Sequence, residues 1–112
     1  MAQQWRRKSK FFNKPTIVDG IRFHSIKESR RYKELLLEQK AGKIKDLKLQ
    51  PVFEIWVNGR LICRYISDFQ YIQVEPTMQI VVEDVKGVLT DVYKLKKKLF
   101  LALYPQYVFV ES

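Results

Sequence analysis

Apolar and polar positions divide the chain into short runs of different period. Thr16-Ile17-Val18-Asp19-Gly20-Ile21-Arg22-Phe23 sets Asp-Gly between two apolar runs, a strong hairpin signal. A helix is expected over residues 26–41, with Ser25 as N-cap and Gly42 as its stop. Ile44, Leu47 and Leu49 read as a short connector tucked against the core. Residues 52–57 read as a strand, Asn58-Gly59 as its tight turn, and residues 60–73 as a long second strand. Glu75-Pro76-Thr77 turns the chain into a third strand over residues 78–86. Thr90 or Asp91 caps a second helix over residues 92–103, with Val92, Leu95, Leu99 and Leu103 as its core stripe. Pro105 ends that helix, and residues 107–110 form a last strand. The expected order is helix, three-strand meander, helix, strand.

The third strand carries an anomaly. Gln79-Ile80-Val81-Val82-Glu83-Asp84-Val85-Lys86 begins as a β-branched run and ends with three ionisable residues among four. Asp is depleted in strands and costly to bury unpaired. Asp84 and Lys86 project to one face, about 7 Å apart, because side chains alternate. A carboxylate beside an ammonium on a rigid strand suits metal-assisted phosphodiester hydrolysis. Lys86 as a simple neutraliser of Asp84 is the bland alternative.

Asp68 is a second acid within a strand. A hairpin symmetric about Pro76 sets residue 70 opposite 82 and Asp68 opposite Asp84, about 5 Å apart. Two facing carboxylates repel, and a divalent cation reverses that sign. Plain ion pairs of Asp68 and Asp84 with Arg64 and Lys86 are the alternative. Glu83 points to the opposite face and becomes the acidic ligand only if the strand is bulged. Glu28 stands in Ser25-Ile26-Lys27-Glu28, a capping box in which it would return to the Ser25 amide. It could instead lean over the sheet as a third carboxylate.

The totals limit the choices. The 112 residues, 46% of them apolar, make one domain with one core. No apolar run reaches the roughly 20 residues of a membrane span. An N-terminus without an apolar core points to an intracellular location. Cys63 alone excludes an internal disulfide and a cysteine-rich zinc site; it reads as a small buried strand residue. With His24 the lone histidine, any metal must be held by oxygen, which favours magnesium or manganese.

The 21 basic residues against 12 acidic ones give a formal charge of +9 and favour a polyanion, most often nucleic acid. Arg6, Arg7, Lys8, Lys10 and Lys14 lie in residues 1–14, read as a flexible basic arm with Trp5, Phe11 and Phe12 available for stacking. Residues 15–112 form the domain. Lys94 and Lys98, and Tyr93 and Lys97, are i, i+4 pairs able to follow phosphates.

Together these residues resemble the PD-(D/E)XK nuclease superfamily. Its pattern is an acid on one strand and (D/E)-x-K on the next. Asp68 matches the first, Asp84-Val85-Lys86 the second. Ser67 departs from the pattern, which has proline there. More closely, the chain resembles small phage and prophage proteins of that superfamily. The similar stretches are residues 16–25, Glu28, Arg31-Tyr32, Leu49-Gln50-Pro51, residues 65–69, 82–87 and 90–96. It is also similar to transposon-end-cleaving nucleases, in which a Glu after a Ser-x-x step joins the metal site. That likeness favours Glu28 as ligand.

The resemblance implies an α/β fold with a restriction-endonuclease-like α-β-β-β-α-β core, a mixed sheet flanked by helices. It implies a magnesium-dependent DNA endonuclease. Glu28, Asp68, Asp84 and the Val85 carbonyl would hold one or two metal ions, and Lys86 would orient water or stabilise charge. Products would carry 5′-phosphates. The arm residues Arg6, Arg7, Lys8 and Lys10, with Lys94, Lys97 and Lys98, would contact DNA phosphates. The location would be the cytoplasm of a bacterial host. So small a chain suits recognition of shape, as a resolvase of branched DNA, and a homodimer that cuts both strands. Two further readings are a non-catalytic DNA-binding protein that keeps the fold, and a phage assembly component that meets an acidic protein.

Overall fold

The computed structural model describes residues 16–112. The expected basic arm, with Arg6, Arg7, Lys8, Lys10 and Lys14, therefore lies outside the described residues. β1 (Thr16–Val18) and β2 (Ile21–Phe23) form the expected hairpin. Its turn, with Asp19 at φ 53° and Gly20 at φ 77°, has the two left-handed residues of the tight hairpin turn. α1 follows (Ile26–Lys40), capped by the Ser25 hydroxyl, which accepts from the Glu28 N–H. It ends in a Schellman turn: Gly42 N–H bonds the Gln39 carbonyl and Lys43 N–H the Glu38 carbonyl.

The connector expected at 44–49 is a strand, β3 (Ile44–Leu49), paired antiparallel with β6 (Phe69–Gln73). A bulge between Lys45 and Lys48 breaks its apolar alternation and hid it from the pattern. β4 (Val52–Val57) and β5 (Arg60–Ile66) make the next hairpin. The long strand expected over 60–73 is therefore two strands, broken at Ser67-Asp68. The partner arm breaks at the same level, at Gln50-Pro51. Two bonds bridge the break, Gln50 N–H to the Asp68 carbonyl and Ser67 N–H to the Pro51 carbonyl. One long hairpin is thus kinked across both arms.

β7 (Gln79–Asp84) pairs antiparallel with β6, Gln70 opposite Val82 and Ile72 opposite Ile80, the register expected from symmetry about Pro76. It ends at Asp84, two residues sooner than expected. α2 (Asp91–Leu103), capped by Thr90, crosses over to β8 (Val108–Glu111), parallel to β7. The result is a mixed four-stranded sheet in the order β3-β6-β7-β8, beside the two hairpins. Among the described residues this is a small α/β domain with two helices.

Alternation along β6 and β7 feeds two apolar clusters. Phe69, Tyr71 and Val81 meet Tyr32 and Leu35 of α1, with Phe23 and Ile44. Val82, on the opposite face, meets Tyr93 and Phe100 of α2 with Phe53, Ile55 and Tyr65 of the kinked-over hairpin. The expected α2 stripe is corrected: Val92, Leu95 and Leu103 are exposed, and Tyr93 and Phe100 are the buried residues. The hairpin presents large rings, and the helix turns its own rings toward them. Phe100 lies 4.8 Å from Phe53 and 5.3 Å from Tyr65, ring to ring. Cys63 is half-buried rather than buried. No helix among the described residues is long and apolar enough to cross a membrane.

Candidate active site

The kink and the end of β7 create one polar corner. At Ser67-Asp68 side chains replace the lost ladder. The buried Ser67 hydroxyl donates to the Glu83 carbonyl at 2.7 Å, and the Asp68 carboxylate accepts from the Val85 N–H at 2.7 Å. Asp68 is thereby fixed against the (D/E)-x-K segment. Asp84 is fully buried, and one of its oxygens accepts from the Tyr65 hydroxyl. Its other oxygen, Oδ1, has no hydrogen-bond partner, with Lys86 Nζ 3.7 Å away. Burial pushes the Asp84 carboxyl up, and Lys86 and the Asp68 backbone pull against that.

Glu28 reaches this corner from α1. Its Oε1 accepts from the His24 N–H at 3.1 Å. The reciprocal half of the capping box thus goes one residue earlier than the expected Ser25 amide. Its Oε2 is buried with no hydrogen-bond partner. Burial first, then the charge of Asp68, pushes the Glu28 carboxyl up to about 7, while Lys86 pulls it down. Glu28, Asp68, Asp84 and Lys86 therefore interact as one cluster. Arg64 does not join it and pairs with Glu54 at 3.5 Å.

Lys86 is held from three sides. Its ammonium sits 4.3 Å from the Tyr93 ring centre, its carbonyl accepts from Lys27 Nζ at 3.0 Å, and its N–H donates to the Ser112 carbonyl. Tyr93 is anchored by its own hydroxyl, 2.5 Å from Glu111 Oε2. Tyr65 and Glu111 escaped the sequence reading as site residues, and Tyr93 was read there only as a partner of Lys97 along phosphates. A strand tyrosine three residues before Asp68 was the available signal, since a buried hydroxyl needs a partner.

Glu83 belongs to the opposite face, as alternation required. It takes Arg31 Nε at 2.6 Å, the Tyr71 hydroxyl at 2.7 Å and the Ser112 hydroxyl at 2.7 Å. Burial pushes it up, but these partners outweigh that and hold the carboxyl below its ordinary range. A fully satisfied Glu83 has no oxygen to spare for a ligand. Of the basic residues assigned to phosphates, Lys94 and Lys98 are exposed. Lys97 pairs with Glu111 at 3.2 Å and lies 5.2 Å from the Phe109 ring.

Residues 8–110 match a family model described as "Protein of unknown function (DUF1064)". The chain belongs to this family. No curated protein and no solved structure matches it. The match spans the whole corner from Glu28 to Lys86, together with α2, so the cluster lies inside the family's shared region.

The cluster can be tested for a hard cation. Among the described residues no three Asp, Glu, His or Cys side chains stand close enough together to hold a metal ion as they are. The donor chemistry nevertheless fits. Two carboxylate oxygens are buried without hydrogen-bond partners, and both carboxyls are pushed toward protonation. Ligation by three carboxylates needs their side chains to stand closer together than they do, and one oxygen of Asp68 is already engaged by the Val85 N–H.

Proposed function

We propose that this chain is a metal-dependent DNA endonuclease with a PD-(D/E)XK-type site. One observation carries the reading: Glu28 Oε2 and Asp84 Oδ1 are buried without hydrogen-bond partners in a cluster that includes Asp68 and Lys86. An unsatisfied buried carboxylate oxygen costs a few kcal/mol, roughly 1–3 or more. Asp84 Oδ1 has only the Lys86 ammonium at 3.7 Å, and Glu28 carries the added repulsion of Asp68, so a bound cation would relieve both.

Glu28, Asp68 and Asp84 would hold the metal, with the Val85 carbonyl next in sequence. When bound, magnesium or manganese would polarise the scissile phosphate and lower the pKa of a bound water. Asp84 and the Tyr93 ring confine the Lys86 ammonium to the edge of the cluster. From there it orients the attacking water or stabilises charge developing on phosphorus. The reaction is in-line hydrolysis that leaves a 5′-phosphate. The charge of +9 supplies phosphate affinity without sequence choice. A homodimer would set one such site on each strand. The setting in this reading is the cytoplasm of a phage-infected bacterium.

A second reading is a DNA-binding protein that keeps the fold without cutting. It is favoured by the engaged Asp68 oxygen and by the absence of three gathered ligands among the described residues.

Supercoiled, linear, single-stranded and branched DNA incubated with magnesium or EDTA separates the two. Cutting by the wild type in magnesium alone, lost in Lys86→Ala and Asp84→Ala, is the expected result. Binding without cutting of any substrate would establish the second reading. Cutting that survives both substitutions would move the site elsewhere.

A further inference from the structure

The surface beside the cluster is indented. A groove of about 270 Å³ is lined by the apolar Leu89, Tyr93 and Leu101 and by the basic Lys94, Lys97 and Lys98. Its position follows from topology. β7 and β8 run parallel with Asp84 opposite Glu111, and α2 is the crossover between them. The first turns of α2 and the carboxyl ends of both strands meet at one edge, where open α/β sheets bind their ligands. Tyr93 is shared, lining the groove while its ring faces Lys86 Nζ at 4.3 Å.

The charges of the groove are sorted. Glu111 is the one carboxylate in the lining, and it is occupied by Lys97 at 3.2 Å and by the Tyr93 hydroxyl at 2.5 Å. Lys94 and Lys98, one helical turn apart, make no ion pair among the described residues. The groove therefore combines apolar side chains, a neutralised acid and two ammoniums without ion-pair partners among the described residues. A run of acids alone would meet the ammoniums and leave the apolar side chains uncovered. A nucleotide strand satisfies both, with a base or sugar against the apolar side chains and phosphates at the lysines. At about 270 Å³, a little below the roughly 300–1,000 Å³ of pockets for drug-sized ligands, it is the size for one nucleoside.

We propose that this groove is a nucleoside subsite, which takes one unstacked nucleotide of a DNA strand beside the phosphate held at Lys86. Lys94 and Lys98 contact the phosphates on either side of it. Its place next to a scissile phosphate rests on the nuclease reading; its chemistry does not. The substrate class that follows is DNA with locally unpaired nucleotides, at a flap, a branch or a single-stranded end, where unstacking costs least.

The test is fluorescence anisotropy of the full chain with labelled single-stranded, branched and fully paired oligonucleotides. EDTA is present, so that cutting plays no part. The paired variants are Leu89→Ala with Leu101→Ala, and Lys94→Ala with Lys98→Ala. All four positions are exposed, and thermal melts check that the fold is intact. Loss of the two leucines should weaken binding to single-stranded and branched DNA about tenfold, the scale of apolar side-chain burial, and leave duplex binding nearly unchanged. Loss of the two lysines should reduce the salt dependence by about two counterions on the unpaired substrates. Equal loss on duplex and branched DNA, or none on either, would overturn the subsite. Displacement of the oligonucleotide by polyglutamate of equal charge would overturn it too, in favour of an acidic protein partner. Asp84→Ala separates the two proposals. It should keep the preference for unpaired DNA while abolishing any cutting, so failure of the nuclease reading leaves this binding result standing.

Discussion

Glu28 has two oxygens with different fates, one at the helix cap and one buried without a hydrogen bond. This has a consequence for pH. The Glu28 carboxyl is pushed up to about 7 in the folded chain against an ordinary 4.5, by burial and then by Asp68. Between those values the folded chain holds a proton that the unfolded chain has lost. The contribution is complete below the ordinary value and disappears as pH rises through 7. The melting temperature without divalent cation should therefore fall between pH 5 and pH 8, and Glu28→Gln should flatten that fall. A melting curve that rises over this range would contradict the account. A hard cation bound at the cluster should restore stability at pH 8, and Asp84→Asn should abolish the restoration in the same thermal-shift measurement. Tyr65 makes a second case. Tyr65→Phe deprives a buried Asp84 oxygen of its donor, at a cost of about 1–3 kcal/mol, readable by denaturant titration. In the nuclease reading it should also raise the magnesium concentration needed for half-maximal cutting.

The elements were legible to differing degrees. Asp19-Gly20 and Ser25 announced a hairpin and a helix start, because left-handed turns and caps depend on local chemistry. The β6–β7 register followed from turn symmetry, and it brought the end of β7 to Asp68. The kink could not be read. It depends on Ser67 and Asp68 bonding to β7 in place of the ladder, partners 16 and 17 residues away. The buried face of α2 was misread for a similar reason. Aliphatic Val92, Leu95 and Leu103 form the more regular stripe, but rings on β4 and β5 select Tyr93 and Phe100. Phe100→Ala should accordingly cost about 3–5 kcal/mol, whereas Leu95→Ala should change stability by less than about 0.5 kcal/mol. Arg31 was noted only as part of a similar stretch. Its link to Glu83 joins α1 to the central strand across 52 residues of sequence. Arg31→Ala leaves a fully buried carboxylate without its cation and should cost about 3 kcal/mol.

For the whole molecule the candidate cluster draws on α1, the hairpin kink and the end of β7. No one segment contains it. That explains why Asp84-Val85-Lys86 alone is weak as a sequence signal and why Glu28 seemed only a cap. The charge of +9 gives a test at the same scale. Affinity for any DNA should fall by orders of magnitude between 50 and 200 mM salt, with a linear log–log slope. A flat slope would show that phosphates are not the partner.

The parallel pairing of β7 with β8 also has a meaning in time. Lys86 obtains its backbone partner from Ser112, and Tyr93 obtains its anchor from Glu111. Chains emerge from the ribosome amino end first, so both contacts arrive after every acid of the cluster. A nascent chain that already displays Glu28, Asp68 and Asp84 still has an unanchored Lys86. The corner is completed when residues 108–112 add to the edge of the sheet, so a chain without that strand would keep the acids and lose the anchors of Lys86 and Tyr93.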